Sequence, residues 1–424
     1  MSGAWSRPPP GSGARAVLGE EVGYAAEVPG RPPPLVALAV AVGGALAVAC
    51  LGDPRAHATA FVAVVVAWGA VVATLAPDAP GPARVVLAAL LVRLPLLVVA
   101  PTLSDDVWRY VWEGQVWRAG ENPFVLAPDA PALAHLRDTV WANVNHRQVP
   151  SIYPPFAQLL FLVLAGGGVL AWRLVSAACD VGTAWVLARA RPRAGWLWAL
   201  LPLPALESAV SGHLEGIGVL FLVLAIVTPE ARGRGAWAWM GAMVKLLPGV
   251  LLVLERPRAW LGWALLTLLV ALPLVRAEGF ETYRASWAFN GSLFPLAELG
   301  LGTWTRPLLQ ALGLAVVAGV LLRSRDPARV ALWTTGAFVL LSPTVHPWYV
   351  LWPLAAALLN GSRAWVVLAV TVPASYIVLS TYDPATSAWT EWATTRIVVY
   401  APFYGALIAE GWGRLVRAGP ATAR

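Results

Sequence analysis

Charge is scarce in this chain of 424 residues. Asp, Glu, Lys and Arg together make up 12%, roughly half the share of an ordinary soluble domain. Lysine is almost missing: of 30 basic residues, Lys245 alone is a lysine and the rest are arginine. Cysteine is limited to Cys50 and Cys179. The shortage of charge excludes a soluble globular enzyme and a disordered chain, both of which need more polar surface. Two cysteines far apart in apolar stretches exclude a disulfide scaffold and make no metal pair. The net charge of +7 comes from short arginine clusters between apolar runs. That is the pattern of cytoplasmic loops rather than of a nucleic-acid surface.

What is abundant is hydrophobic residues, at 58%, in runs of spanning length. A membrane-crossing helix needs about 20 mainly apolar residues. Candidate spans are 35–51, 58–76, 84–101, 169–188, 194–209, 212–228, 259–276, 307–322, 329–343, 347–359, 364–380 and 396–414. The expected fold is therefore an all-α polytopic transmembrane protein of about 12 crossings. Residues 1–34, rich in Pro and Gly, read as a flexible tail, 35–416 as a single transmembrane domain, and 417–424 as a C-terminal tail. Two apolar runs do not fit a simple crossing. Residues 154–165 are too short and begin with two prolines, while 236–254 are interrupted by Pro248 and Gly249. Broken backbone at membrane depth is tolerated only inside protein or beside a cavity.

The arginine clusters assign sides. Arg189, Arg191 and Arg193 form one cluster, Arg232 and Arg234 a second, and Arg256 and Arg258 a third. Arg323, Arg325 and Arg329 form a fourth, and Arg414 and Arg417 a fifth. With all five cytoplasmic, the loop 102–153, the segment 277–306, Ser211–His213, His346 and the loop 381–395 share the opposite side. This requires 154–165 to lie at the interface and 236–254 to enter and return as a broken hairpin. Both termini are then cytoplasmic, and the loop 102–153 is extracytoplasmic.

Five constellations carry chemistry. In Ser104-Asp105-Asp106-Val107-Trp108-Arg109-Tyr110-Val111-Trp112-Glu113, Ser104 is a plausible N-cap, and acids in the first turn suit the helix dipole. Asp105, Arg109 and Glu113 follow at i, i+4, i+8 on one face, with Trp108 and Trp112 on a neighbouring face suited to a membrane interface. A carboxylate there could act as a general base or a metal ligand; the bland alternative is a capped interfacial helix. Asn145-His146 and Ile152-Tyr153-Pro154-Pro155 close the same loop. Glu207 and Glu215 flank Ser211-Gly212-His213, and ionisable groups at membrane depth face a cavity or a partner. Lys245 precedes Leu246-Leu247-Pro248, where an anion, phosphate or carboxylate, is its natural partner and snorkelling its bland alternative. His346-Pro347-Trp348-Tyr349 separates two apolar helices. Arg93, alone inside the third span, either snorkels or pairs with one of these acids.

Leu103-Ser-Asp-Asp-Val-Trp-Arg-Tyr-Val-Trp-Glu-Gly114 resembles the opening of the first external loop of GT-C-type integral-membrane glycosyltransferases. Within them it is most similar to bacterial polyprenol-phosphate-mannose-dependent mannosyltransferases. Gly120-Glu121-Asn122-Pro123-Phe124, Asn145-His146, Ile152-Tyr153-Pro154-Pro155, Ser211-Gly212-His213, Lys245-Leu-Leu-Pro248 and His346-Pro347-Trp348-Tyr349 follow in the same order. The resemblance covers roughly residues 85–360; the first two spans and the loop 381–395 lie outside it. It implies transfer of a sugar, mannose by the nearest subgroup, from a polyprenyl-phosphate donor to a lipid or glycan acceptor at the outer face of the inner (plasma) membrane. It implies that Asp105 or Asp106 is the base on the acceptor hydroxyl, with the two not ordered. Lys245, His346 and Arg93 become candidates for the donor phosphate. Arg109, Glu113, Asn122, His146, Tyr153, Glu207, His213, Glu215, Trp348 and Tyr349 become candidates for positioning substrate. Many relatives carry Asn-Asp after the Gly-His, where this chain has Leu214-Glu215. No cofactor is demanded by any spacing, although acids beside a phosphate permit a divalent cation. The rival class is a transporter or lipid flippase, which would also explain a broken helix with buried charge. Transporters usually pair two such segments, and only one is visible here. A non-catalytic assembly partner is opposed by the complete set of acids, histidines and lysine.

Overall fold

The computed structural model describes residues 34–75, 79–271, 279, 287–383, 386 and 388–418. Of the tail expected at 1–34 all but Pro34, which starts the first helix, lies outside this range, as do 419–424, most of 272–286 and part of the loop 381–395. Among the described residues the protein is all-helical; only isolated bridges, such as Asn290 to Thr344, depart from helix and loop. The apolar runs read as spans are mainly helical over their described parts, with breaks inside some of them, as at Leu201 in 194–209 and over 212–214 in 212–228. Five helical stretches are long and apolar enough to cross a membrane: Pro34–Leu51, Ala58–Leu75, Pro155–Ala190, Phe294–Arg323 and Ala364–Thr381. Glu215–Val227, Arg258–Val270 and Pro327–Leu341 are shorter apolar helices.

Two irregular runs explain how a cavity forms. The run 154–165 becomes a helix, Pro155–Leu164, followed by a turn in which Gly168 takes φ +59. Phe161 then meets Trp172 at 5.4 Å between ring centroids. In one straight helix those residues would lie about 16 Å apart, so the chain doubles back. The first of these helices, Pro155–Leu164, packs on the loop helix Asp106–Arg118 at Gly114, where any Cβ would collide with the carbonyl of Phe161. The run 236–254 breaks where Pro248 predicts. A helix over Ala231–Val244 ends at Lys245, which is extended (φ −156, ψ 131), and a tighter helix runs over Leu247–Leu254. Pro248 folds back onto Gly241. The segment is thus a broken hairpin with Lys245 at its bend.

The loop 102–153 has its own small core of Trp112, Val116, Leu133 and Val144. Trp112 is 1% exposed, so it packs that core and does not face a membrane interface. The helix begins at Asp106, and Ser104 accepts the Asp106 N–H at 3.2 Å from one residue before the cap.

Arg93 neither snorkels nor pairs with an acid of the candidate set. Its Nε donates to Asp180 at 2.6 Å and its Nη1 to the Ala199 carbonyl at 2.6 Å. Trp198 Nε1 (2.7 Å) and the Ser208 hydroxyl (3.1 Å) complete the shell of Asp180. Both ionic side chains are 2% exposed. The pair joins the third span to the helix Gly168–Ala190 and to the residues just before Glu207. With its donors engaged there and no place on the cavity wall, Arg93 leaves the phosphate-binding candidates.

Candidate active site

A cavity of about 1170 Å³ lies where the polar segments meet. Asp105, Asp106, Arg109 and His146 reach it from the loop 102–153, Lys245 from the hairpin bend, and His346, Trp348 and Tyr349 from the turn after Ser342. Trp287 and Phe289 come from the segment 277–306, Tyr382 and Trp389 from the loop 381–395. These are the segments that the arginine pattern places on one side. The remaining wall is apolar, with Leu247, Val250, Leu309, Leu314, Val317 and Phe338 contributed by three helical stretches. Tyr153 also lines the cavity, packed edge-on against Tyr110.

The two acids differ sharply. Asp105 is clamped: Arg55 Nη2 lies 2.8 Å from Oδ1, and the Tyr382 hydroxyl donates to Oδ2. Arg55 also stacks over the Tyr382 ring at 4.4 Å. Both of its oxygens are thus already accepting hydrogen bonds from the protein. No donor reaches the Asp106 carboxylate among the described residues, and its side chain is 22% exposed in the cavity. Asp106 is therefore the acid of the two whose oxygens stand open to the cavity. Arg55 and Tyr382 were not among the sequence candidates. They lie 50 and 277 residues from Asp105, in segments outside the resemblance, and no local pattern signals them.

Behind Asp106 lies a buried network. A π-turn over Leu206–Val210 carries Glu207, closed by Ser211 N–H to the Leu206 carbonyl at 3.0 Å. Such turns concentrate at functional sites. Gly212 then takes φ +64, with Arg173 and Val107 packed where a Cβ would sit. This presents His213, whose Nδ1 lies 2.9 Å from Glu207 Oε2. Glu207 also accepts from the Tyr376 hydroxyl (2.6 Å) and the Ser211 hydroxyl (3.2 Å). His213 Nε2 points at Asp106 Oδ2, 3.9 Å away. Neither Glu207 nor His213 lines the cavity; both are fully buried.

Lys245 Nζ contacts Glu215 and sits 5.0 Å over the Tyr349 ring. Glu215 is thus the carboxylate partner expected for it. Glu215 is completely buried and its Oε2 has no partner among the described residues. His346 is half-buried and stacks flat on Trp348 at 4.4 Å; Trp348 in turn covers His213 at 4.0 Å. Burial pushes the His346 pKa down to about 3, aided by His213, Lys245 and His146 nearby and opposed by Asp106. His346 can thus offer a hydrogen bond but no positive charge to an anion. The folded pKa lies below the usual 6.5, so the unfolded chain binds this proton first as pH falls. The associated stability is present above 6.5 and is lost as pH drops toward 3. Melting temperatures across that window are expected to decline with acidity, and less so in His346→Gln. An identical decline in the variant would mean the ring is not buried as a neutral group.

Other candidates serve the loop. Arg109 donates to Glu113 (2.9 Å) and to the carbonyls of Asn145, His146 and Val149. It thereby holds His146, at φ 44, against Trp287. Burial, with Arg109 close by, lowers the pKa of His146. Glu113 accepts from Ser151 (2.6 Å) and Gln158 (2.5 Å) away from the cavity. Asn122 turns its carbonyl onto the Phe124 N–H at 2.9 Å. These contacts give Glu113 and Asn122 an architectural role, and neither lines the cavity. Arg306, also outside the sequence candidates, lines the cavity wall beside Gln310.

Residues 288–409 match a family described as the MptB C-terminal domain. Alpha-(1->6)-mannopyranosyltransferase A of Mycobacterium tuberculosis is 24% identical to this chain over 344 residues. The likeness is to a mannosyltransferase. The aligned part covers 65% of this chain and 65% of that relative's length. The family match takes in the loop 381–395, which the motif-based resemblance did not reach, and with it Tyr382 and Trp389 on the cavity wall. No solved structure matches the chain.

Proposed function

We propose that this protein is a membrane glycosyltransferase that transfers a sugar, mannose by its likeness, from a polyprenyl-phosphate donor to a lipid or glycan acceptor at the extracytoplasmic face. The observation that carries the reading is the carboxylate of Asp106, without a hydrogen-bond partner among the described residues and opening into a cavity whose wall is partly ionic and aromatic and partly a long apolar surface. A sugar phosphate fits the first and a prenyl chain the second. In this reading Asp106 takes the proton from the acceptor hydroxyl. The hydroxyl oxygen bonds to the anomeric carbon as that carbon's bond to the phosphate oxygen breaks, and the lipid phosphate leaves with the electron pair. Lys245 stands where it can neutralise the departing phosphate. Trp348, stacked between His213 and His346, and Tyr349, under Lys245, hold those three groups in place along the cavity wall.

Purified protein, given a panel of radiolabelled polyprenyl-phosphate sugars and nucleotide sugars with a membrane lipid extract as acceptor, is expected to transfer label from a polyprenyl-phosphate sugar only. Mannose is expected to be the best substrate. Transfer from nucleotide sugars alone, or from none of the panel, would sink the proposal.

A further inference from the structure

We infer that His213 and Glu207 form a proton relay behind Asp106. Through Nε2, His213 takes on the proton that Asp106 receives from the acceptor hydroxyl, and Glu207 holds the Nδ1 proton and balances the imidazolium that results. This rests on the transfer reading above. In it Asp106 is the catalytic base, and His213 and Glu207 are positioning residues that act through it.

The argument starts from Glu207. Three groups point hydrogen-bond donors at its carboxylate, from Tyr376, Ser211 and His213. The two hydroxyls donate at either oxygen, Tyr376 to Oε1 and Ser211 to Oε2, so the carboxylate is placed as an acceptor. With Glu207 as the acceptor, the 2.9 Å contact puts a proton on His213 Nδ1. The free nitrogen of the ring is then Nε2. It is buried and lacks a hydrogen-bond partner among the described residues, which is rare for a polar atom in a protein interior. Its nearest acid is Asp106 Oδ2 at 3.9 Å. A lone pair facing a carboxylate gains from a proton between them, and a reaction that releases one supplies it.

The ring is fixed in this pose. Trp348 covers its face, and Gly212, at φ +64, sets its entry. Other charged groups surround the trio. Arg173 packs over Gly212 and donates to the Ala209 carbonyl at 2.7 Å. His346 lies on the far face of Trp348, and the Lys245–Glu215 pair stands next along the same wall. None of these comes between Nε2 and Asp106 as a hydrogen-bond partner.

The balance of the step is simple. The acceptor O–H bond breaks and its proton moves to Asp106 Oδ2 and on to His213 Nε2. The new glycosidic bond forms, the bond from the anomeric carbon to oxygen breaks, and the phosphate departs with that electron pair. Asp106 is returned to its anionic form while the site still holds product, and the imidazolium is paired with Glu207 until solvent or the leaving phosphate takes the proton.

A purely architectural histidine would need only the stack on Trp348 and the bond to Glu207, and glutamine at 213 can still donate to Glu207. The test therefore pairs kinetics with ring titration. In His213→Gln, kcat is expected to fall by roughly 100-fold with the donor KM little changed and the acid limb of the pH–rate profile displaced. Added imidazole is expected to restore part of the rate in His213→Ala. In purified protein followed by nitrogen-15 NMR of labelled histidine, Asp106→Asn and Glu207→Gln should each lower the pH at which the His213 ring is protonated, because each removes a facing negative charge. An unchanged pH–rate profile in His213→Gln, or a ring titration indifferent to Asp106→Asn, overturns the relay. A ring that responds to Asp106→Asn in a protein that transfers no sugar upholds the coupling and counts against the transfer reading, so the two failures are told apart.

Discussion

Asp106→Asn is expected to remove sugar transfer almost completely, by roughly two to four orders of magnitude in kcat, the usual contribution of a positioned general base. The folded protein should remain, because the Asp106 carboxylate makes no hydrogen bond among the described residues and asparagine fills the same space. Asp105→Asn should behave differently. Its carboxylate is tied to Arg55 and Tyr382, and the pair with Arg55 is partly exposed, at 20% and 14% for the two side chains. Ion pairs of that exposure contribute about 1 kcal/mol or less, so the expected loss is under about tenfold. It should be accompanied by looser association of the connector 52–57 with the loop 381–395, readable as faster proteolysis there. Transfer rates of the two variants, at matched amounts of folded protein, decide the order within the Asp pair. Full activity in Asp106→Asn, or a deeper loss in Asp105→Asn, would reverse it.

The sequence showed the apolar segments because a spanning helix must be apolar along its whole length, and that is a local property. It also showed the break at Lys245, because Pro248 cannot continue a helix whatever surrounds it. The nearness of Asp106, His213 and His346 was expected indirectly, from arginine clusters that sort loops by side; that of Lys245 was not part of that reading. What stayed hidden are the pairings. Arg55 reaches Asp105 across 50 residues and Tyr376 reaches Glu207 across 169, and periodicity carries no information at that range. Arg93 misled for the same reason. A lone arginine in a span signals a partner, and its acid, Asp180, bears the same mark as a lone charge inside the run 169–188, but nothing local joins the two. Trp112 misled because tryptophan suits both a membrane interface and a core, and only the packing of the loop 102–153 chooses between them.

Lys245→Ala is expected to have the second large effect, and it has two sources that one variant cannot separate. Glu215 is fully buried, with one oxygen already unpartnered. Without the ammonium its charge would be uncompensated, at a cost on the order of 3 kcal/mol. A marked fall in thermal stability should therefore come together with weakened use of the donor. Replacing both members of a buried pair by neutral groups of similar size is often close to neutral for stability. Lys245→Met combined with Glu215→Gln should accordingly melt near the wild type while keeping a raised donor KM. A double variant with restored stability and a normal donor KM would reduce Lys245 to a structural partner of Glu215. Lys245→Arg adds a finer discrimination. A guanidinium is planar and forked, whereas an ammonium is a compact charge with three donors. At the bend of the hairpin those donors can serve Glu215 and, in the proposed reaction, a phosphate oxygen together, while the Tyr349 ring covers the cation. Arginine should then rescue stability better than it rescues donor affinity, which would explain a solitary lysine in a chain whose other basic residues are all arginine.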